Sequence, residues 1–298
     1  MAMSYTSLIG SKSTTGSIKA WVNYSLLDSV TVVDEAQSLL WSLLRTREML
    51  TDFAFTMQVG QSYIDLPARF LDPIGRLYLS SFNTYVRHKD GNFIQSNRTY
   101  SETSGTLGAD PFATTDGSDT VTVTLASHGF TQDSVFSTTG AATFNGTTIE
   151  GTFPVTGIVD ANTFTIDISS IDDTPTGTGS GGGSAVDYVC DVLVSGVPVW
   201  YGIWNERIYF DTAFFQAALC KLQYYRSPAL LSADNESNWL TDRYPRLMRQ
   251  ACITAAADFM KDTNEYNKNL TALTGMVQAV AVENDMQYRG MELDTYTP

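Results

Sequence analysis

The residue types that do most enzyme and metal chemistry are scarce in this chain. Only two histidines occur, His88 and His128, and neither sits in the spacing of histidines and cysteines that a zinc site needs. His128, in "ASHGFT", reads as a turn residue. No GxSxG elbow and no phosphate-cradling glycine motif opens a helix. No metal, no cofactor and no catalytic group is expected. Carboxylates are plentiful, and one pair invites a glycosidase reading: Glu206 and Asp211 flank a strand beside Trp200, Tyr201 and Trp204, and acids among aromatics are how sugar sites look. The reading that these residues favour is an ordinary strand end and turn, with the aromatics packing the sheet. Arg243, Arg246 and Arg249 recur every three residues at a helix start, which puts three cations on one side of it. Cations there oppose the helix dipole, so they point to an acidic partner: a neighbouring subunit, a docked protein, DNA, or acids of the same fold.

Composition bounds what such residues can serve. The 298 residues, 43% of them hydrophobic, can fill one or two cores. Eighteen basic against 32 acidic side chains leave a formal charge of −14, which argues against gripping nucleic acid through its phosphates. The charge is uneven. No Lys or Arg lies between Arg98 and Arg207, while residues 99–186 carry ten acids. Cys190, Cys220 and Cys252 are far apart in apolar surroundings and read as reduced core residues. No run is long enough to span a membrane, and the N-terminus has no signal-peptide core, so synthesis and folding in a cytoplasm are expected.

The elements follow from periodicity. Ile18, Trp21, Val22 and Leu26 share a helical face. A second helix, with Asp34 as its cap, carries Ala36, Leu39, Leu40, Leu43 and Leu44. "FAFTMQVGQSYIDLP" alternates about Val59-Gly60-Gln61-Ser62 and predicts a hairpin, and "GRLYLSSFNTYVRH" adds a strand. From residue 99 the vocabulary turns to Thr, Ser, Gly and Asp in short alternating runs, the look of a small all-β sandwich. The glycine-rich "TPTGTGSGGGSAVD" reads as the return arm of this insertion rather than a linker between domains in series, because the aromatic strands after it complete the sheet begun at Phe53. In those strands Ala218, Cys220, Leu222 and Tyr224 alternate with Leu219, Lys221, Gln223 and Tyr225. Two helices close the chain. The first opens at Pro245 with Leu247, Ala251, Ala255 and Phe259 every four residues. The second carries a heptad-like seam, Tyr266, Leu270, Leu273, Val277 and Val280, that wants a helical partner. Residues 285–298 are too polar to fold alone, yet Met286, Tyr288, Met291, Leu293 and Tyr296 offer apolar groups to a partner.

The run from Tyr201 to Asp262, with its Tyr-Tyr-Arg-x-Pro element at Tyr224–Pro228, the apolar pair Trp239-Leu240 and an alanine-rich helix opening near a proline, resembles the head-to-tail adaptor (connector) proteins of short-tailed phages. "FAFTMQVGQSYIDLPARF" is similar to that family as well, and the inserted segment resembles an immunoglobulin-like module of phage structural proteins. The expected fold is therefore α+β: a helical bundle with a small antiparallel sheet (residues 1–98 and 187–284), an inserted β sandwich (99–186) and an extended C-terminal tail (285–298). The resemblance implies a non-enzymatic ring of twelve copies at the head–tail interface of the virion, assembled in the host cytoplasm. It would dock on the portal protein, accept the tail nozzle protein, and pass packaged DNA through its lumen without specific binding, away from any membrane. Tyr288, Met291, Leu293 and Tyr296 would then grip the portal, and Arg243, Arg246 and Arg249 would face a neighbouring subunit or the lumen. The alternatives are a tail or head-decoration protein, or a carbohydrate-binding virion protein acting through the insert.

Overall fold

A computed structural model describes residues 3–171 and 174–293, with side chains as far as 284. The elements in chain order begin with α1 (Tyr5–Ile9), α2 (Ile18–Trp21), α3 (Ser29–Leu43), β1 (Leu50–Met57), β2 (Tyr63–Asp65), β3 (Phe70–Leu79), β4 (Thr84–His88) and α4 (Gly91–Asn97). The middle third contributes β5 (Tyr100–Thr106), β6 (Phe112–Thr114), β7 (Thr120–Thr124), β8 (Val135–Thr139), β9 (Gly151–Ile158), β10 (Thr163–Asp167), β11 (Gly179–Gly181) and β12 (Asp187–Leu193). Then come β13 (Ser195–Gly196), β14 (Trp200–Trp204), β15 (Arg207–Phe210), β16 (Ala213–Phe214), β17 (Ala218–Arg226), α5 (Trp239–Arg243), α6 (Pro245–Phe259) and α7 (Thr263–Leu293). Two compact units result: Met1–Thr51 with Arg69–Pro73 and Tyr224–Pro298, and Asp52–Ala68 with Ile74–Gln223.

The first unit is helical. Its core joins Leu8, Ile18, Val32, Val33, Ala36 and Leu40 to Leu247, Ala251, Cys252 and Ala255. Helix α3 starts six residues before the expected cap: Asp28, not Asp34, accepts from the N–H groups of Val30 (3.2 Å) and Thr31 (3.4 Å) and from the Thr31 hydroxyl (2.8 Å). The β-branched run "SVTVV" argues locally against helix, but capping at Asp28 turns Val32 and Val33 into the core, and their burial outweighs propensity. Pro245 occupies the first turn of α6 as its fixed φ favours. After a turn in which Lys261 takes φ 56°, α7 folds back, and the Asp262 carboxylate accepts from the Glu265 N–H at 3.1 Å. Leu273, Val277 and Val280 bury themselves in the same core as α6. The heptad-like seam thus finds its helical partner within the chain.

The second unit corrects the expected fold class. Strands outweigh helices in this protein, which is no helical bundle with a small sheet. Its seven-stranded sheet runs β1-β17-β3-β4-β14-β15-β2, and β4 pairs with β14 in parallel, so the sheet is neither small nor wholly antiparallel. A second sheet has eight strands, in the order β11-β6-β7-β10-β9-β8-β12-β5, and β13 and β16 form a short parallel pair. Short strands separated by Gly and Asn turns carry little periodicity each, so their sum was easy to underweigh.

The predicted hairpin at Val59–Ser62 does not form. Strands β1 and β2 lie at opposite edges of the seven-stranded sheet. Seven strands laid flat would set their edges roughly 29 Å apart, whereas the link from Met57 to Tyr63 can reach at most about 21 Å. The sheet therefore curls towards closure, and the turn that looked like a hairpin bridges its two edges.

The eight-stranded sheet also curls. Phe112, Val121, Val123, Phe136, Phe153, Val155, Phe164, Ile166 and Cys190 come from six of its strands and share one core. In this module strand β9 passes between two groups of strands, its Gly151–Pro154 half pairing with β8 and its Val155–Ile158 half with β10, so the strands enclose one interior. The module's glycine-rich return arm is part of that sheet, since β11 pairs with β6. The glycines are required there: a Cβ on Gly181 would lie 2.4 Å from the Phe144 ring, and one on Gly182, at φ 110°, 2.5 Å from Phe112.

Candidate functional site

The three arginines do not form one basic face. Arg243 is the last residue of α5, where a cation suits the helix dipole, and α6 begins only at Pro245. Its guanidinium pairs with Glu48 and, at 3.6 Å, with Glu283, and lies 5.4 Å from the Tyr244 ring centre. Arg249 lies 5.1 Å over the Trp21 ring. Arg246 alone is exposed with neither an ion pair nor a ring contact among the described residues. It opens on a groove of about 610 Å³ whose floor is Leu247, Met276, Ala279 and Val280. Of the expected portal-contact residues, Tyr288, Met291 and Leu293 lie on α7, their side chains outside the described residues, and Tyr296 lies wholly outside them.

The two acids of the glycosidase reading are not brought together. Strand β15 separates them, and five residues of strand span about 16 Å, well beyond the separation that paired-acid hydrolysis uses. Asp211 is 7% exposed and its carboxylate is occupied by the N–H groups of Val199 (3.1 Å) and Trp200 (3.3 Å), while burial pushes its pKa up. Glu206 sits in the β14–β15 turn at φ 58°. Trp204 stacks on Tyr209 at 3.9 Å rather than facing an open site.

Histidine 128 is equally committed. Its Nδ1 accepts from the Phe130 N–H at 2.9 Å, so Nε2 carries the proton and donates to the Asp160 carbonyl at 3.0 Å. The ring packs on Phe130 and Phe164. His88 is half-sheltered beside Tyr201, and burial lowers its pKa. All three cysteines are free and buried, with pKa values pushed up to about 12, which makes them inert packing groups. Among the described residues no group of His, Cys, Asp and Glu could hold a metal ion, and no helix is long and apolar enough to cross a membrane.

A polar joint ties the eight-stranded module to the turn between β1 and β2. The Gln132 backbone N–H donates to the Gly60 carbonyl (2.8 Å), its side-chain oxygen accepts from the Ser62 N–H (3.1 Å), and its amide donates to the Thr156 carbonyl (3.0 Å). Ser62 donates to the Asp133 carboxylate (2.9 Å), and Tyr63 donates its hydroxyl proton to the Thr156 carbonyl (2.9 Å). Arg98, its side chain 6% exposed, closes the joint: it meets Asp133 at 2.9 Å and donates to the Phe210 carbonyl. Sequence reading missed this cluster because its bonded partners lie 24 to 112 residues apart.

A second unforeseen cluster lies on β4, α4 and β14. Parallel pairing sets Trp200 beside Arg87. The Arg87 guanidinium lies 5.6 Å from the Trp200 ring centre, and the Lys89 ammonium 5.3 Å from Trp200 and 5.0 Å from Phe93, whose ring meets Trp200 edge-on. Alternation of Arg87 and Lys89 along one strand face, with an aromatic four residues on, was its only local signal.

No family model matches the sequence, and no curated protein matches it. Among the solved structures that match is the phage phi92 endosialidase, at 12% identity and a TM-score of 0.26, over 51% of this chain and 22% of that one. The chain thus spans about a fifth of that protein, and the likeness identifies neither a family nor an activity.

Proposed function

We propose that this chain is a structural protein of a phage virion, a head-to-tail adaptor whose copies form a ring between portal and tail nozzle and leave a passage for DNA. The observation that carries this reading is the length of α7. Thirty-one residues make a helix of about 46 Å, whereas its partner α6, with fifteen, extends about 22 Å. A helix that outruns its partner by about four turns stays ordered most readily when another chain covers the excess. The adaptor-like motifs fall at the chain's crossings between its two units: β17 passes from one to the other at Gln223–Tyr224, where the Tyr-Tyr-Arg-x-Pro element begins. The side chains that could do chemistry are instead engaged in packing and hydrogen bonds.

Electron microscopy of the protein mixed with its candidate portal tests this. A ring of added density stacked on the portal is expected. It should be lost when Tyr288, Met291, Leu293 and Tyr296 are all changed to Ser, with the circular dichroism of the free protein unchanged. Failure of the folded wild-type chain to bind any portal would overturn the adaptor reading and favour a tail or head-decoration component, to which the predominance of strands is equally suited.

A further inference from the structure

The Arg87, Lys89, Phe93 and Trp200 cluster is a surface without a partner. Neither cation has an ion pair among the described residues, although the chain carries 32 acidic side chains. The nearest carboxylate in sequence, Asp90, is occupied in capping α4, where it accepts from the Phe93 N–H at 2.9 Å. His88, between the two cations, faces the other side of the strand against Tyr201. Val197 and Val199, 40% and 52% exposed, lie on the chain entering β14.

The eight-stranded module carries a face of the opposite kind. Antiparallel register sets Asp191 directly across from Glu102, a like-charge pair that repels, and places Asp187, Val189 and Asp191 on one side of β12. Across the next strand Val135 faces Asp191. Val189 is 44% exposed and Val135 37% exposed, so this outer face is apolar as well as acidic. It offers carboxylates to the two cations and valines to the two rings, and no ion pair joins the two faces within one copy.

We propose that the Arg87, Lys89, Phe93 and Trp200 patch binds the outer face of β12 and β5, with Glu102, Asp191 and Val189, of a second copy of this chain. Two different surfaces meeting between identical copies make a heterologous contact, the kind that closes into a ring. The inference rests on the ring reading and supplies one of its contacts. A nucleic-acid strand suits the patch less well, because two cations in a chain of charge −14 make no backbone track.

The full chain tests it through an engineered disulfide between copies. With the native cysteines buried, Arg87→Cys combined with Glu102→Cys should give, on mild oxidation of the assembled protein, a ladder of linked chains that neither single variant gives. In parallel, Arg87→Glu with Lys89→Glu should weaken self-association by about tenfold or more, and adding Glu102→Lys with Asp191→Lys should restore most of it. Arg87→Gln with Lys89→Gln, checked by thermal melting, guards against misfolding and should weaken association in the same direction. A ring seen by microscopy without linked chains and without any effect of charge reversal would overturn this contact while leaving the ring intact. A folded chain that neither self-associates nor cross-links at any concentration would overturn the contact, and the ring with it if no assembly forms on the portal either. Binding of a single-stranded oligonucleotide that is lost in the charge-reversed variant, with no cross-linking, would assign the patch to nucleic acid and overturn the proposal.

Discussion

Arg243 and Arg87 are both arginines near the end of an element, both exposed, and both placed over an aromatic ring, yet their surroundings are opposite. Around Arg243 the fold supplies Glu48 and Glu283, and the cation is spent holding α5 and α7 together. Around Arg87 the fold supplies a second cation, Lys89, and the rings of Trp200 and Phe93, and among the described residues no acid that pairs with either. Type and spacing of a charged residue thus say little about its use. The carboxylates that topology brings within reach decide whether a cation is structural or left over for another molecule.

The contrast can be broken by mutation. The largest effect belongs to the buried relative of these two, Arg98. Arg98→Ala leaves Asp133 without its counter-ion and removes the donor to the Phe210 carbonyl, so a loss of about 3 kcal/mol in urea unfolding is expected. Arg243→Ala should cost about 1 kcal/mol, since its pairs are partly exposed. Arg87→Ala and Lys89→Ala should each stay within about 0.5 kcal/mol of wild type. Equal losses at Arg87 and Arg243 would erase the distinction drawn between them.

The smallest effects lie in the acid response of two aspartates with opposite shifts. The pKa of Asp28 is lowered from its usual 3.8 by the Thr31 hydroxyl and backbone, so its contribution is present above 3.8 and fades as the pH falls through its folded value. That of Asp211 is raised by burial, so its contribution is full below 3.8 and is lost as the pH rises through its folded value. Unfolding midpoints at successive pH values should therefore show Asp28→Asn losing less stability than wild type on acidification below pH 4. Asp211→Asn should lose more than wild type between neutrality and pH 4. The same sign in both variants would contradict the environments described for them.

What the sequence disclosed was whatever local chemistry controls. The alternation of β17 is found as read, with Ala218, Cys220, Leu222 and Tyr224 buried, and α6 opens at Pro245 as its type requires. The pairing of distant strands was not legible. Gly60 in its turn suggested a hairpin because turn chemistry is local, whereas the placement of β1 and β2 at opposite sheet edges depends on five strands inserted between them. The patch of Arg87 and Trp200 likewise exists only because β4 and β14, more than a hundred residues apart, lie side by side. Charge composition showed that the module is acidic but not that Glu102 and Asp191 oppose each other, which is a matter of register.

The hydrogen-bonded joint at Gln132 has a mechanical consequence. The module's entering and leaving strands meet where the Val194 N–H donates to the Thr99 carbonyl, and a tether at that point alone would let the module swing. Gln132, Asp133 and Tyr63 add a second anchorage through the module's middle, so a push on its far side becomes torque on the curled sheet instead of idle rotation. An inserted domain fastened in this way is a lever.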